Sequence, residues 1–170
     1  MFRRFWSSGL ASIQVAVFRV LYSACTVVAV LGCGGTTAPD WPDVVPVTGE
    51  VTQDGKPLSS ARVMFIPSGD TVGPGGSALT DESGKFTATS MSADGKQIDG
   101  LIPGKYKVAI SRFVKPDGSV WTPEPGSKAG PMTMAARESI PQQFSNPVAS
   151  KLTANVDQGG GTFTFPITSK

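Results

Sequence analysis

Apolar and polar residues alternate with a period of two along much of the chain after residue 46. In "VTGEVT", residues 47–52, both valines fall on one face, while the threonines and the glutamate fall on the other. This alternation predicts a β-strand with one buried face. Asp54-Gly55 follows, a pair that favours a tight hairpin turn.

The same alternation recurs in segments separated by turn residues. These segments are 62–66, 85–89, 105–111, 151–156 and 162–167, and a further short strand is expected at 78–80, before "DESG". In 105–111, we expect Tyr106, Val108 and Ile110 to point inward and Lys105, Lys107 and Ser111 to point outward. No window has a convincing helical period. About seven short strands, each with one apolar face, predict an all-β fold: a single antiparallel β-sandwich with one core, in a domain spanning 47–168.

The first 32 residues have a different pattern, typical of a secretory signal peptide. Residues 1–19 carry only positive charges, and Val20–Gly32 contains no charge at all. These 13 residues would rise about 20 Å as a helix, which is short of a bilayer span. Val30–Cys33 resembles the lipobox of bacterial lipoproteins. In that family the cysteine receives a diacylglyceryl group and becomes the first residue after cleavage, so the resemblance implies a lipid anchor at Cys33.

Two alternatives to this interpretation stay open. The segment could be an uncleaved signal anchor with Cys33 a bystander, and Cys25 is the other cysteine. Cys25 follows Tyr22-Ser23-Ala24, where the tyrosine fits the lipobox pattern poorly. The region before the apolar core is also long, so Met1 need not be the true start. By resemblance to lipoprotein sorting, Gly34 in the second position favours the outer membrane.

Residues 33–46 form the expected lipidated N-terminus and tether. They contain three prolines, two glycines and two threonines, a composition typical of an extended linker. A chain beginning at Cys33 has 12 basic and 13 acidic side chains, against a net charge of +2 for the whole sequence. This balance excludes a basic nucleic-acid footprint, and we expect the membrane to be reached through the diacylglyceryl-cysteine.

The strand segments together resemble a known domain family. The motifs "VTGEVTQDGKPLSSARVMFIP", "TDESGKFTAT" and "GLIPGKYKVAIS" look like the carboxypeptidase regulatory-like domain, a transthyretin-like β-sandwich. The later "IPQQFSNPVASKLTANVDQGGGTFTF" resembles the version found in lipoproteins of planctomycete-type bacteria. In peptidases this module lies beside the catalytic domain and is not itself the hydrolase. The resemblance therefore implies a fold and no activity.

Candidate chemistry is sparse in this sequence. The chain has no histidine, which removes most triad and His-ligated metal chemistry. "TDESG" could suggest a calcium loop, but we expect Asp81 to cap its own turn, with Gly84 in a positive-φ conformation. We therefore predict no catalytic residues, no metal and no cofactor.

Residues 114–139 are predicted to form a long loop rich in Pro, Gly and Ser. Trp121 in this loop could stack on a sugar ring, or it could fold back over a sheet edge, which we favour. The sequence thus predicts a non-enzymatic, lipid-anchored lipoprotein of a bacterial cell envelope that contacts an unidentified envelope protein or plays a structural role. The alternative is a carbohydrate-binding module that uses Trp121 to bind a glycan at the cell surface.

Overall fold

A computed structural model of the chain describes residues 41–123 and 129–170, and in these residues the fold is all-β. The strands are β1 (Val47–Gln53), β2 (Lys56–Pro57), β3 (Arg62–Ser68), β4 (Gly76–Leu79), β5 (Lys85–Thr87), β6 (Thr89–Met91), β7 (Gln97–Asp99), β8 (Gly104–Ser111), β9 (Phe113–Val114), β10 (Arg137–Glu138), β11 (Leu152–Val156) and β12 (Gly161–Ile167). A 3-10 helix covers Pro131–Met134, and the short helix α1 covers Gln142–Ser145. Within these ranges, no helix is long and apolar enough to cross a bilayer.

The strands form two main sheets. The larger sheet is antiparallel, in the order β11-β8-β3-β4-β6-β7. In the smaller sheet, β1 lies between β12 on one side and β2 and β5 on the other. A separate two-stranded ribbon pairs β9 with β10. This arrangement confirms the predicted all-β sandwich.

One strand pair departs from the predicted antiparallel arrangement. β1 and β12, near the two ends of the domain, run parallel in a continuous register from Val47–Gly161 to Gln53–Ile167. Parallel pairing needs a long connection, and here almost the whole domain lies between the two strands. The strand count also exceeds the predicted seven, because several of the additional strands have only two or three residues.

Aromatic side chains from both sheets meet in the core. The Phe65 ring of β3 lies 6.0 Å from that of Phe86 and 6.4 Å from that of Phe165, both in the smaller sheet. Tyr106 meets Phe65 edge-on at 6.2 Å and donates its hydroxyl to the carbonyl of Ile102 at 2.6 Å. Burial of this hydroxyl raises the pKa of Tyr106. The buried polar atom is therefore hydrogen-bonded, as a close-packed core requires.

Burial along β8 follows the predicted alternation except at its carboxyl end. Tyr106, Val108 and Ile110 are buried as expected, but Ala109 and Ser111 are buried too. The chain after β8 packs against this strand through α1, and Ser150 donates its hydroxyl to the carbonyl of Val108 at 2.5 Å. The expectation that Ser111 is solvent-facing is therefore wrong, because the following segment covers it.

Pairing with the domain begins shortly before β1, inside the expected tether. Val45 and Leu101 exchange two backbone hydrogen bonds of 2.8 and 3.0 Å. Trp41 is half-buried. The tether therefore reaches the sandwich at the end where β8 begins.

Candidate functional site

The segment from residue 113 to 121 forms a hairpin that holds Trp121. Val114 bridges to Val120, and the turn places Gly118 at φ +83°. Asp117 accepts hydrogen bonds from the hydroxyl and the backbone N–H of Ser119 at 2.7 and 2.8 Å. These bonds hold the pKa of Asp117 below its usual range. The predicted long loop over 114–139 is therefore structured at its beginning.

Trp121 closes this hairpin against its first strand. Its backbone N–H donates to the carbonyl of Phe113 at 2.9 Å. The two rings lie 6.3 Å apart at 88°, an edge-to-face arrangement favoured by aromatic quadrupoles. The tryptophan is half-buried.

A second contact fixes the end of the segment to the sheet. Glu138 of β10 accepts hydrogen bonds through Oε1 from the backbone N–H groups of Arg112 and Ile140, at 2.9 and 3.0 Å. Ser139 bonds to the carbonyl of Arg112 through both its N–H and its hydroxyl. The hairpin (113–121) and the β9–β10 ribbon are therefore both fixed to the carboxyl end of β8, and we call them together the supported unit.

This supported unit and the outer face of the larger sheet enclose a groove of about 330 Å³, which we call the Trp121 groove. Met64 and Leu79 of the sheet form part of its floor, and Phe113 and Trp121 contribute a wall. Leu79 is 49% exposed, so the floor is apolar and accessible. The groove therefore offers an aromatic ring beside open apolar surface.

Two arginines also line the Trp121 groove. Arg62 is exposed at the start of β3, and Arg112 donates Nε to the carbonyl of Ser59 at 3.1 Å. Among the described residues, the sole ion pair within 4.0 Å joins Lys96 to Asp94, far along the chain. Both arginines therefore keep their charge unpaired within the described part of the chain.

A second groove lies along the ribbon and the 3-10 helix. It measures about 510 Å³ and is lined by Val114, Met132 and Arg137, among others. Met132 is 88% exposed and Met134 is 51% exposed. We call Met132 and Met134, together with Thr133 between them, the methionine patch.

The outer face of the smaller sheet carries a broader, polar depression. It measures about 620 Å³ and is lined largely by threonines and charged residues of β1, β5 and β12. Thr48 and Thr162 are hydrogen-bonded through their hydroxyls at 3.1 Å. These two hydroxyl groups are therefore already hydrogen-bonded to each other across the β1–β12 pair.

The "TDESG" segment is a turn, as predicted. Asp81 accepts hydrogen bonds through Oδ1 from the N–H groups of Ser83 and Lys85 at 2.8 and 2.9 Å, and Gly84 has φ +75°. These hydrogen bonds lower the pKa of Asp81, and the bond from the backbone N–H of Lys85 has the largest effect. The described residues contain no cluster of three or more acidic, cysteine or histidine side chains suited to a metal ion.

The candidate lipid-attachment residue Cys33 lies outside the described residues, as does the signal segment 1–32. Of the sequence-predicted site residues, the structure therefore places Trp121. Sequence reasoning missed its groove neighbours Arg62 and Arg112. It also missed the hairpin, although Asp117-Gly118 is the same turn pair that was recognised at 54–55.

Comparisons with known proteins give little beyond this geometry. No protein-family model matches the chain, and no curated protein matches it. A solved DUF3823 family protein from Parabacteroides merdae is 13% identical, with 76% of this chain and 46% of that protein covered and a TM-score of 0.33. A 9R-lipoxygenase from Cyanothece is 12% identical, with 92% of this chain and 22% of that protein covered and a TM-score of 0.30. The chain thus spans less than half of either protein, and likenesses this weak carry no argument about function.

Proposed function

We propose that this chain is a non-enzymatic, lipid-anchored binding module of a bacterial cell envelope. The lipobox-like Val30–Cys33 supplies the anchor, and residues 34–46 supply the tether. The β-sandwich is then a carboxypeptidase regulatory-like domain that contacts another envelope protein. The outer membrane is the expected site, because Gly34 would follow the lipidated cysteine.

The methionine patch is the observation that carries the protein contact. Met132 and Met134 are exposed although both side chains are apolar. Methionine is flexible and polarisable, and it is used at surfaces that adapt to a protein partner. The patch adjoins a groove whose lining includes Val114 and Arg137, so apolar and cationic groups lie together.

The layout of the sandwich makes this contact compatible with an anchor. Val45 joins the sheet at Leu101, just before β8 begins, and the ribbon follows the other end of β8. Eight residues of strand separate the two ends by about 23 Å. The point where the chain joins the sheet and the methionine patch therefore lie towards opposite ends of β8.

A photo-crosslinking amino acid at Thr133, inside the methionine patch, tests this function in intact cells. We expect one envelope protein to be captured from Thr133 and not from a control position at Gln158, which is exposed in the turn after β11. Replacing Met132 and Met134 by Asp should abolish the capture. Equal capture from both positions, or capture that survives the double replacement, would contradict the proposal.

A carbohydrate-binding function is the second candidate, and Trp121 is the observation that favours it. The ring lines an open groove and is braced edge-on by Phe113. A braced aromatic ring with part of its surface accessible is a suitable platform for a sugar ring, whose C–H face is apolar. Quenching of tryptophan fluorescence by a polysaccharide, lost in Trp121→Ala, would support it. Absence of quenching across a broad set of glycans would refute it.

A further inference from the structure

The charges of the Trp121 groove define which glycan would fit it. We propose that this groove binds a carboxylate-bearing sugar chain, with Trp121 stacking on a sugar ring and Arg62 holding the sugar carboxylate. This inference rests on the second proposed function and specifies its ligand.

The first argument is the free charge of Arg62. Its side chain is exposed at the start of β3, and no carboxylate of the described residues lies within ion-pair distance. Guanidinium binds carboxylate through two parallel hydrogen bonds, which a neutral hydroxyl cannot match. Arg112 adds a second positive charge to the groove lining, with its Nε already bonded to Ser59.

The acidic residue of the groove does not cancel this preference. Glu138 also lines it, but Oε1 already accepts hydrogen bonds from the backbone N–H groups of Arg112 and Ile140. These bonds satisfy part of the carboxylate and fix its position. Among the described lining residues, two cationic side chains and one acidic side chain give a net positive charge.

The shape of the groove favours a short stretch of saccharide. A volume of about 330 Å³ lies at the lower end of the range for ligand clefts. Met64, Leu79 and Trp121 line the same groove, so one face of a sugar ring can meet apolar atoms while Arg62, also in the lining, supplies the charge. An extended polymer can pass through such an open groove, and each bound stretch needs one carboxylate near Arg62.

Binding of tetragalacturonate and of its methyl ester to the full chain, in detergent and measured by calorimetry, tests the proposal. The two ligands share the same rings and differ in charge. We expect the acid to bind more tightly, and Arg62→Gln to weaken binding of the acid about tenfold or more with little effect on the ester. Lys105→Gln, an exposed change at the far end of β8, should alter neither.

The Trp121 variants separate stacking from folding. Trp121→Phe keeps an aromatic ring in the hairpin and should retain part of the affinity, while Trp121→Ala should lose it. The proposal is overturned if acid and ester bind equally, if folded protein binds neither, or if a polyglutamate peptide binds better than the sugar acid. Equal binding of acid and ester would leave carbohydrate binding by the groove intact and remove only the charge preference, so this failure is distinguishable from failure of the second proposed function.

Discussion

Gly49 lies where β1 packs closely between β5 and β12. A Cβ at this position would lie 2.1 Å from the carbonyl oxygen of Phe163 and 2.6 Å from the ring of Phe86. Neither neighbour has room to retreat, because one is backbone and the other is a buried core ring. The contact thus explains why β1 has a glycine between its two buried valines.

Gly49→Ala should therefore lower the free energy of unfolding by about 1–3 kcal/mol, the usual cost of overpacking. Gly159→Ala is the matched control, since a Cβ there has no heavy atom within 4 Å. Urea unfolding of both variants measures the difference. Equal midpoints for the two variants would contradict the packing of β1 against β5 and β12.

The second residue-scale prediction concerns acid stability. Hydrogen bonds from Lys96 and then from Ser92 lower the pKa of Asp94 from 3.8 to about 2. A lowered pKa means that the folded state favours the carboxylate, so its contribution is present above pH 3.8 and lost as the pH falls towards 2. The group is exposed, so the effect is small.

Asp94→Asn should accordingly reduce the fall in melting temperature between pH 5 and pH 2. Asp99→Asn is the control, because Asp99 is also exposed and receives no side-chain hydrogen bond from the described residues. Melting curves followed by circular dichroism at several pH values provide the measurement. If the melting temperature of both variants falls with pH as much as that of the unchanged protein, the hydrogen bonds of Asp94 contribute nothing to acid-dependent stability.

At the scale of elements, the hairpin after β9 depends on its turn. Gly118 has φ +83°, a backbone conformation that is strained for any residue with a Cβ. The turn holds Trp121 against Phe113. There is open space around Gly118, so a substitution acts through the backbone alone.

Gly118→Ala should therefore loosen the hairpin by about 1 kcal/mol. We expect faster hydrogen exchange at the backbone N–H of Trp121, while exchange in β8 stays unchanged. Gly130→Ala is the control, since Gly130 has no positive φ and a Cβ there meets nothing within 4 Å. Unchanged exchange at Trp121 would show that the turn does not position this residue.

The longer strands were predictable because each has a buried face of its own. Alternation identified β1, β3, β8, β11 and β12, and Asp54-Gly55 marked a turn in which both residues have positive φ, 51° and 78°. Strands of two or three residues, such as β7 and β10, are too short to show a period. Asp94-Gly95 and Asp117-Gly118 were available signals for two further hairpins.

The direction of strand pairing and the residues that line the Trp121 groove could not be predicted from the sequence. Alternation fixes which face of a strand is buried but not its partner, so the parallel pairing of β1 with β12 gave no local signal. Trp121 was recognisable by residue type alone. Arg62 reaches the same groove from 59 positions earlier in the chain, through the pairing of β3 with β8.

At the scale of the whole molecule, the point where the chain enters the sandwich and the candidate surfaces lie towards different ends of β8. The chain joins the domain at Val45, beside Leu101, and the Trp121 groove and the methionine patch follow the far end of β8. This separation is compatible with the proposed binding module, in which Cys33 would carry the anchor.

Cys33→Ser should leave the precursor uncut and unlipidated, because Cys33 is the residue expected to carry the acyl chains and to become the first residue after cleavage. Cys25→Ser should leave the protein membrane-bound, since this cysteine is expected to leave with the signal peptide. The mass of each variant and its incorporation of labelled fatty acid, together with cell fractionation, give the comparison. If Cys33→Ser matures normally and stays in the membrane, Cys33 is not the anchor.

The most direct test of the account is the mass of the N-terminal peptide of the protein purified from membranes. We predict a peptide that begins at Cys33 and carries a diacylglyceryl group, and that is unchanged in Cys25→Ser. An internal peptide that contains Cys33 as a free thiol would contradict the anchor, and with it the proposal of a lipid-anchored envelope module.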